Sequence, residues 1–167
     1  MRHPRLAIAS LALSAVGLVG LALEEHYTDR AVIPVPGDVP TLGFGSTKRE
    51  DGSPVQMGDT ITPPKALART LGHIQKDEAG LKRCVTAPLN QVEYDILVKF
   101  AYQYGTGAAC KSTLVKLINA GRYTEACEQY ARWTFVAGKD CAAPGSGCRG
   151  VVTRANERRD MCMEAQS

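Results

Sequence analysis

Residues 6–23, LAIASLALSAVGLVGLAL, carry no charge, and no other stretch restricts so strongly what this chain can become. An uncharged run of eighteen residues is just long enough to cross a bilayer as a helix. Arg2 and Arg5 precede it and Glu24 and Glu25 follow. Positive charge ahead of an apolar run keeps that end in the cytoplasm and sends the rest of the chain outward. Nine of the eighteen residues are Ala, Gly or Ser, so the hold on hydrocarbon is marginal. Two readings follow. One is a cleaved signal peptide, with Gly20-Leu21-Ala22 as a small-x-small cleavage site. The other is an uncleaved segment able to leave the membrane again. Cleavage after Ala22 would strip Glu25 of the helix ahead of it, and the uncleaved reading is preferred for that reason. The expected division is a membrane segment over 1–23 and a domain over 24–167.

The remainder suits one compact domain with its own core. A net charge of +3 is too small for a dedicated nucleic-acid binder, which needs a dense basic stripe. A mildly basic surface still suits an anionic wall polymer or membrane. The basic stretch RGVVTRANERR, residues 149–159, reads equally well as a solvated helix face. Six cysteines, at 84, 110, 127, 141, 148 and 162, form no CxxC pair. His3, His26 and His73 do not stand at zinc-binding spacings, so neither a metal nor a cofactor is expected. An even count spread over the domain fits disulfides made in an oxidising compartment. Cys141–Cys148, closing CAAPGSGC, is the one pairing that is locally legible.

Residues 27–47 carry β-branched residues around Val35-Pro36-Gly37-Asp38, which predicts a hairpin with a tight loop. Residues 48–62 read as loop. Thr62 ahead of Pro63 and Pro64 opens a helix over 63–83, with Leu67, Leu71, Ile74, Glu78 and Leu81 at helical spacing. Asn90 and Glu93 form a capping signal for a helix buried along Tyr94, Leu97, Val98, Ala101 and Tyr102, ending near Gly105. Ser112 opens another, closed by Gly121. Ala126, Tyr130 and Trp133 mark a further helix, and residues 150–163 the last. The fold class is α+β, mainly α, with one small sheet near its start.

Candidate chemistry lies where the apolar helix runs into the hairpin. Glu25 stands at the helix end, and burial there would keep a carboxyl protonated, as a general acid requires. The hairpin adds Asp29, Asp38 and Thr41. Glycosidic cleavage by the usual route needs two carboxyl groups flanking the scissile oxygen. Other motifs fail: Gly43-Phe44-Gly45 completes neither a dinucleotide loop nor a phosphate loop, and reads as backbone crowding at a strand end. No GxSxG elbow is present.

Several stretches resemble the phage lysozymes of glycoside hydrolase family 24. They are Asn90 to Asp95, Ser112 to Asn119, Arg132-Trp133 with Ala137-Gly138-Lys139, the ending RGVVTRANERRDMC, and VPTLGFGST. The resemblance covers roughly 24–163 in order and implies a lysozyme-like fold, with a small sheet lobe and a helical carboxy-terminal lobe. It implies a muramidase cutting the β-1,4 bond between N-acetylmuramic acid and N-acetylglucosamine of peptidoglycan. Glu25 matches the family's catalytic glutamate, with Glu24 the lesser candidate, and Thr41 matches its threonine. The family's spacing of Glu, eight residues, Asp, five residues, Thr lands here on Pro34 or Val35, leaving Asp29 and Asp38 as the nearest acids. The usual Glu-Gly is Glu25-His26 and the usual Gly-His is Gly45-Ser46. Substrate positions fall on Thr47, Tyr102 and Thr113. The weak apolar run resembles the signal-anchor-release segment of certain phage lysozymes. That implies export by the host secretion machinery, tethering at the inner membrane through residues 6–23, then release into the periplasm as a monomer. With no cysteine in the segment, refolding without thiol exchange is expected to activate the enzyme. A lytic transglycosylase using the same acid and a non-catalytic wall-binding or inhibitor module are the alternatives.

Overall fold

A computed structural model describes residues 4–34, 37–136 and 138–167. The chain forms two compact units, Ala15–Lys76 and a larger one that joins the amino-terminal stretch up to Ser14 to Asp77–Ser167.

The smaller unit begins with helix α1 (Ala15–Glu25). Strands β1 (Thr28–Val32) and β2 (Thr41–Gly43) pair antiparallel, with Thr28 opposite Gly43 and Val32 opposite Thr41. The hairpin is therefore present, but its connection runs from residue 33 to residue 40 rather than through a two-residue turn. Val35 and Pro36 of the expected turn lie outside the described residues. Ala31, Leu42, Val55, Ile61 and Ala66 form the core, with Tyr27 and Phe44 against it. The Tyr27 hydroxyl donates to the Ile61 carbonyl at 2.7 Å, which satisfies its polar end while the ring packs. Residues 48–62 contain no regular element, as expected, yet their backbone is tied down. Ala31 N–H donates to Asp59 O and Ile61 N–H to Asp29 O, so this stretch flanks β1. Arg49 holds Asp59 through two bonds of 2.7 Å.

Helix α2 (Pro63–Cys84) starts in the smaller unit and ends in the larger. Its span agrees with the expectation, and so does the burial of Ile74 and Leu81, but the other three stripe positions are shifted back by one residue. Ala66, Thr70, Ile74, Asp77 and Leu81 are buried, while Leu67 and Leu71 are exposed. A hydrophobic reading misses this because the true stripe includes a small residue and two polar ones.

The larger unit contains α3 (Gln91–Tyr104), α4 (Thr106–Lys111), α5 (Thr113–Asn119) and α6 (Tyr123–Gln129). A two-residue pair, β3 (Phe135–Val136) and β4 (Lys139–Asp140), precedes α7 (Arg149–Glu164). Asn90 and Glu93 make a full capping box at the start of α3. The Ser112 hydroxyl accepts from Val115 N–H to cap α5. Trp133 does not sit on a helix. After α6 the chain passes through a 3₁₀ turn, Tyr130–Arg132, and Trp133 packs on Phe100 and Tyr104 with centroids 4.7 and 4.8 Å apart. Ala137, part of the expected turn there, lies outside the described residues. Nor is the arginine-rich ending a uniformly solvated face: Arg158 is buried and donates to Gln103 at 2.7 Å.

Three disulfides brace this unit: Cys84–Cys110, Cys127–Cys162 and Cys141–Cys148. The first fastens α2 to α4, where the helices approach so closely that a Cβ on Gly80 would run into Thr106 Cγ2.

The amino-terminal apolar run is divided between the units. Leu6 exchanges backbone bonds of 2.8 and 2.9 Å with Leu89, and Ile8 and Leu11 are buried. Leu13 N–H donates to Glu78 at 2.8 Å, and Ser14 bonds to Asp95 through its backbone and its hydroxyl. Residues 15–25 then form α1, with Gly17 and Leu21 buried and Val16, Val19 and Leu23 exposed. Among the described residues no helix is long and apolar enough to cross a membrane.

Candidate active site

Glu25 is the last residue of α1 and is half-buried. The next residue, His26, has φ of 52°, a left-handed conformation that ends the helix and turns the chain into β1. A non-glycine residue is strained there.

Facing Glu25 is the turn after β2. Leu42 and Ser46 exchange backbone bonds of 2.9 and 3.0 Å, closing a tight loop over Gly43, Phe44 and Gly45. Both glycines have positive φ, 69° and 74°. A Cβ on Gly43 would lie 2.9 Å from Ala66 Cβ on α2, and one on Gly45 would lie 2.7 Å from Oε2 of Glu25. The first glycine lets the strand settle on the helix, and the second brings backbone against the carboxyl. The expectation of crowding at this strand end holds, but its consequence for Glu25 was not legible from the pattern.

Thr41 stands on β2, partly exposed, its hydroxyl 3.4 Å from the carbonyl oxygen of Val32. Asp29 is exposed on β1. Asp38 lies in the connection between the strands and accepts from Val39 N–H at 2.8 Å, which is turn chemistry. Thr47 is exposed, two residues beyond Gly45. These four share the smaller unit with Glu25. Tyr102, buried on α3, and Thr113, exposed at the first position of α5, belong to the larger unit. Among the described residues no group of His, Cys, Asp and Glu is arranged to hold a metal ion.

The best-defined electrostatic feature of the smaller unit is Asp59. Hydrogen bonds from Arg49, and then from the Gln56 backbone, hold its carboxyl down to about 2. It anchors the loop that flanks β1.

A half-buried carboxyl at a helix end, pressed by a glycine turn, suits a proton donor to a leaving oxygen. The model of the phage lysozyme family matches residues 22–158. The chain is 33% identical over 128 residues to an endolysin of Salmonella phage P22, covering 77% of this chain and 86% of that one. It is 32% identical over 161 residues to a SAR-endolysin of Pseudomonas phage phiKMV, covering 95% and 91%. The solved endolysin from Escherichia coli O157:H7 phage FAHEc1 superposes with a TM-score of 0.78 at 29% identity, covering 93% of this chain and 95% of that one. Sequence and fold agree, and the chain belongs to the phage lysozyme family.

Proposed function

We propose that this protein is a phage endolysin of the lysozyme type, hydrolysing the β-1,4 bond between N-acetylmuramic acid and N-acetylglucosamine in peptidoglycan. The observation that carries the reading is Glu25 at the end of α1 with Gly45 against its carboxyl. Glu25 protonates the leaving oxygen as the glycosidic bond breaks. A second carboxylate, Asp29 or Asp38, acts with Thr41 to hold the attacking water. Asp29 is favoured, since Asp38 already bonds to its own loop. Thr47, Tyr102 and Thr113 contact the glycan.

Mass analysis of the released fragments tests the chemistry. Hydrated reducing ends are expected, and products lighter by one water would establish a transglycosylase instead. Wall binding without any fragments would leave only a binding module. Comparing Asp29→Asn with Asp38→Asn then identifies the second carboxylate, the larger loss marking it.

The uncharged run 6–23 and the similarity to a SAR-endolysin support a second element of the reading. The chain is exported by the host secretion machinery, held at the inner membrane through this run, and released into the periplasm when the membrane loses its potential. The folded form, with residues 6–14 bound in the larger unit and 15–25 helical, is the released state. The two states exclude each other, which makes the segment a switch.

A further inference from the structure

Arg5 occupies a receptor built by the folded larger unit. Its Nη2 donates to Glu93 Oε1 at 2.6 Å and its Nε to Glu93 Oε2 at 3.0 Å, while Nη2 also donates to Gln166 Oε1 at 2.6 Å. The guanidinium carbon lies 3.6 Å from the centre of the Tyr123 ring. Glu93 is almost fully buried. Its carboxylate also accepts from Asn90 N–H at 2.8 Å and Gln166 Nε2 at 2.9 Å. Glu93, Tyr123 and Gln166 come from α3, α6 and the end of the chain. Cys127–Cys162 ties α6 to α7, and Gln166 donates to the Cys162 carbonyl at 2.9 Å. These ties do not involve residues 5–14, which lets the receptor form while the amino terminus is elsewhere.

The same Arg5 is the charge directly ahead of the uncharged run. With that run in a bilayer, Arg5 is about 27 Å of helix away from the exported side and out of reach of Glu93. A membrane potential that is negative inside opposes its outward movement in proportion to voltage.

We propose that Arg5 is a two-position latch, held on the cytoplasmic side while the membrane is energised and captured by Glu93, Gln166 and Tyr123 on release. Capture seats the chain end from which Leu6, Ile8 and Leu11 then dock. A buried carboxylate losing its cation is costly, so the empty receptor favours capture. The inference rests on the membrane-release reading above.

The test uses the full chain expressed in Gram-negative cells, with protein in membrane and soluble periplasmic fractions measured before and after a protonophore. Arg5→Lys keeps the charge that the potential holds but loses the planar fork. Glu93→Gln keeps the reach to Asn90 N–H but loses the charge. Both variants are expected to start in the membrane with the wild type and to release roughly tenfold less after depolarisation. Release equal to wild type by both overturns the latch and leaves the release reading intact. If Glu93→Gln does not fold, judged by melting of the purified protein, Arg5→Lys decides alone by the same criterion. Wild-type protein that is soluble and shortened before depolarisation, or that never leaves the membrane, overturns the release reading and the latch with it.

Discussion

Gly45 leaves no room for a side chain beside Glu25: a Cβ there would stand 2.7 Å from the carboxylate oxygen Oε2. Gly45→Ala must displace the acid or the turn that faces it. Its backbone, at φ of 74°, adds strain of about 1 kcal/mol. Gly52→Ala is the matched control, with φ of 84° and nothing within 4 Å of the added carbon. Both variants are expected to melt a few degrees lower. Only Gly45→Ala should lose roughly tenfold or more in kcat, and equal kcat for the two would remove Gly45 from the site.

His26 holds a left-handed conformation next to Glu25. His26→Gly relieves that strain, set against greater freedom in the unfolded chain, for a net gain of about 0.5–1 kcal/mol. A rise in Tm of roughly 2–4 °C is expected by thermal denaturation, with lytic activity retained. A fall in Tm would mean that the imidazole contributes more than its backbone costs.

Asp59 links stability to pH. Its carboxyl is held at about 2 in the folded chain against an ordinary 3.8. A group whose folded pKa is depressed stabilises the protein above its unfolded pKa and loses that effect as pH falls through the folded value. Wild type should therefore melt above Asp59→Asn at neutral pH, with the two curves converging between about pH 4 and pH 2. A gap unchanged down to pH 2 would exclude the Arg49 pair as its source.

At Gly80, α2 receives the Thr106 side chain of α4, one turn from Cys84–Cys110. Gly80→Val should cost about 1–3 kcal/mol through overpacking. Removing the disulfide by Cys84→Ser with Cys110→Ser should cost about 2–4 kcal/mol. Denaturant melts of the three proteins check both figures. Because the two features join the same helices, the combined variant should lose less than the sum.

Much of this was legible because local chemistry dictated it. Asn90 and Glu93 announce a capping box, and the structure contains it. Cys141 and Cys148 are close enough in sequence to pair on loop length alone, whereas Cys127 and Cys162 meet only once α6 and α7 have packed. The six residues of α4, TGAACK, have no apolar period to detect, and their place depends on the contact at Gly80 and on Cys110. Glu25 is the acid that chain order and resemblance name. A second carboxylate is not so named, and β1 suggests why: five residues from Thr28 to Val32 oppose three from Gly43 to Thr41, an irregularity that breaks any fixed count from Glu25 to Thr41. The approach of Gly45 to Glu25 depends on the turn closed by Leu42 and Ser46, which no spacing rule encodes.

The most direct test is lysis of outer-membrane-permeabilised Gram-negative cells by wild type and Glu25→Gln, each with its melting curve. Glu25→Gln should fold as wild type does and clear the cells roughly 10²–10⁴-fold more slowly, the usual range for losing a general acid. A folded Glu25→Gln protein with full lytic activity would contradict the assignment of Glu25 and the mechanism built on it.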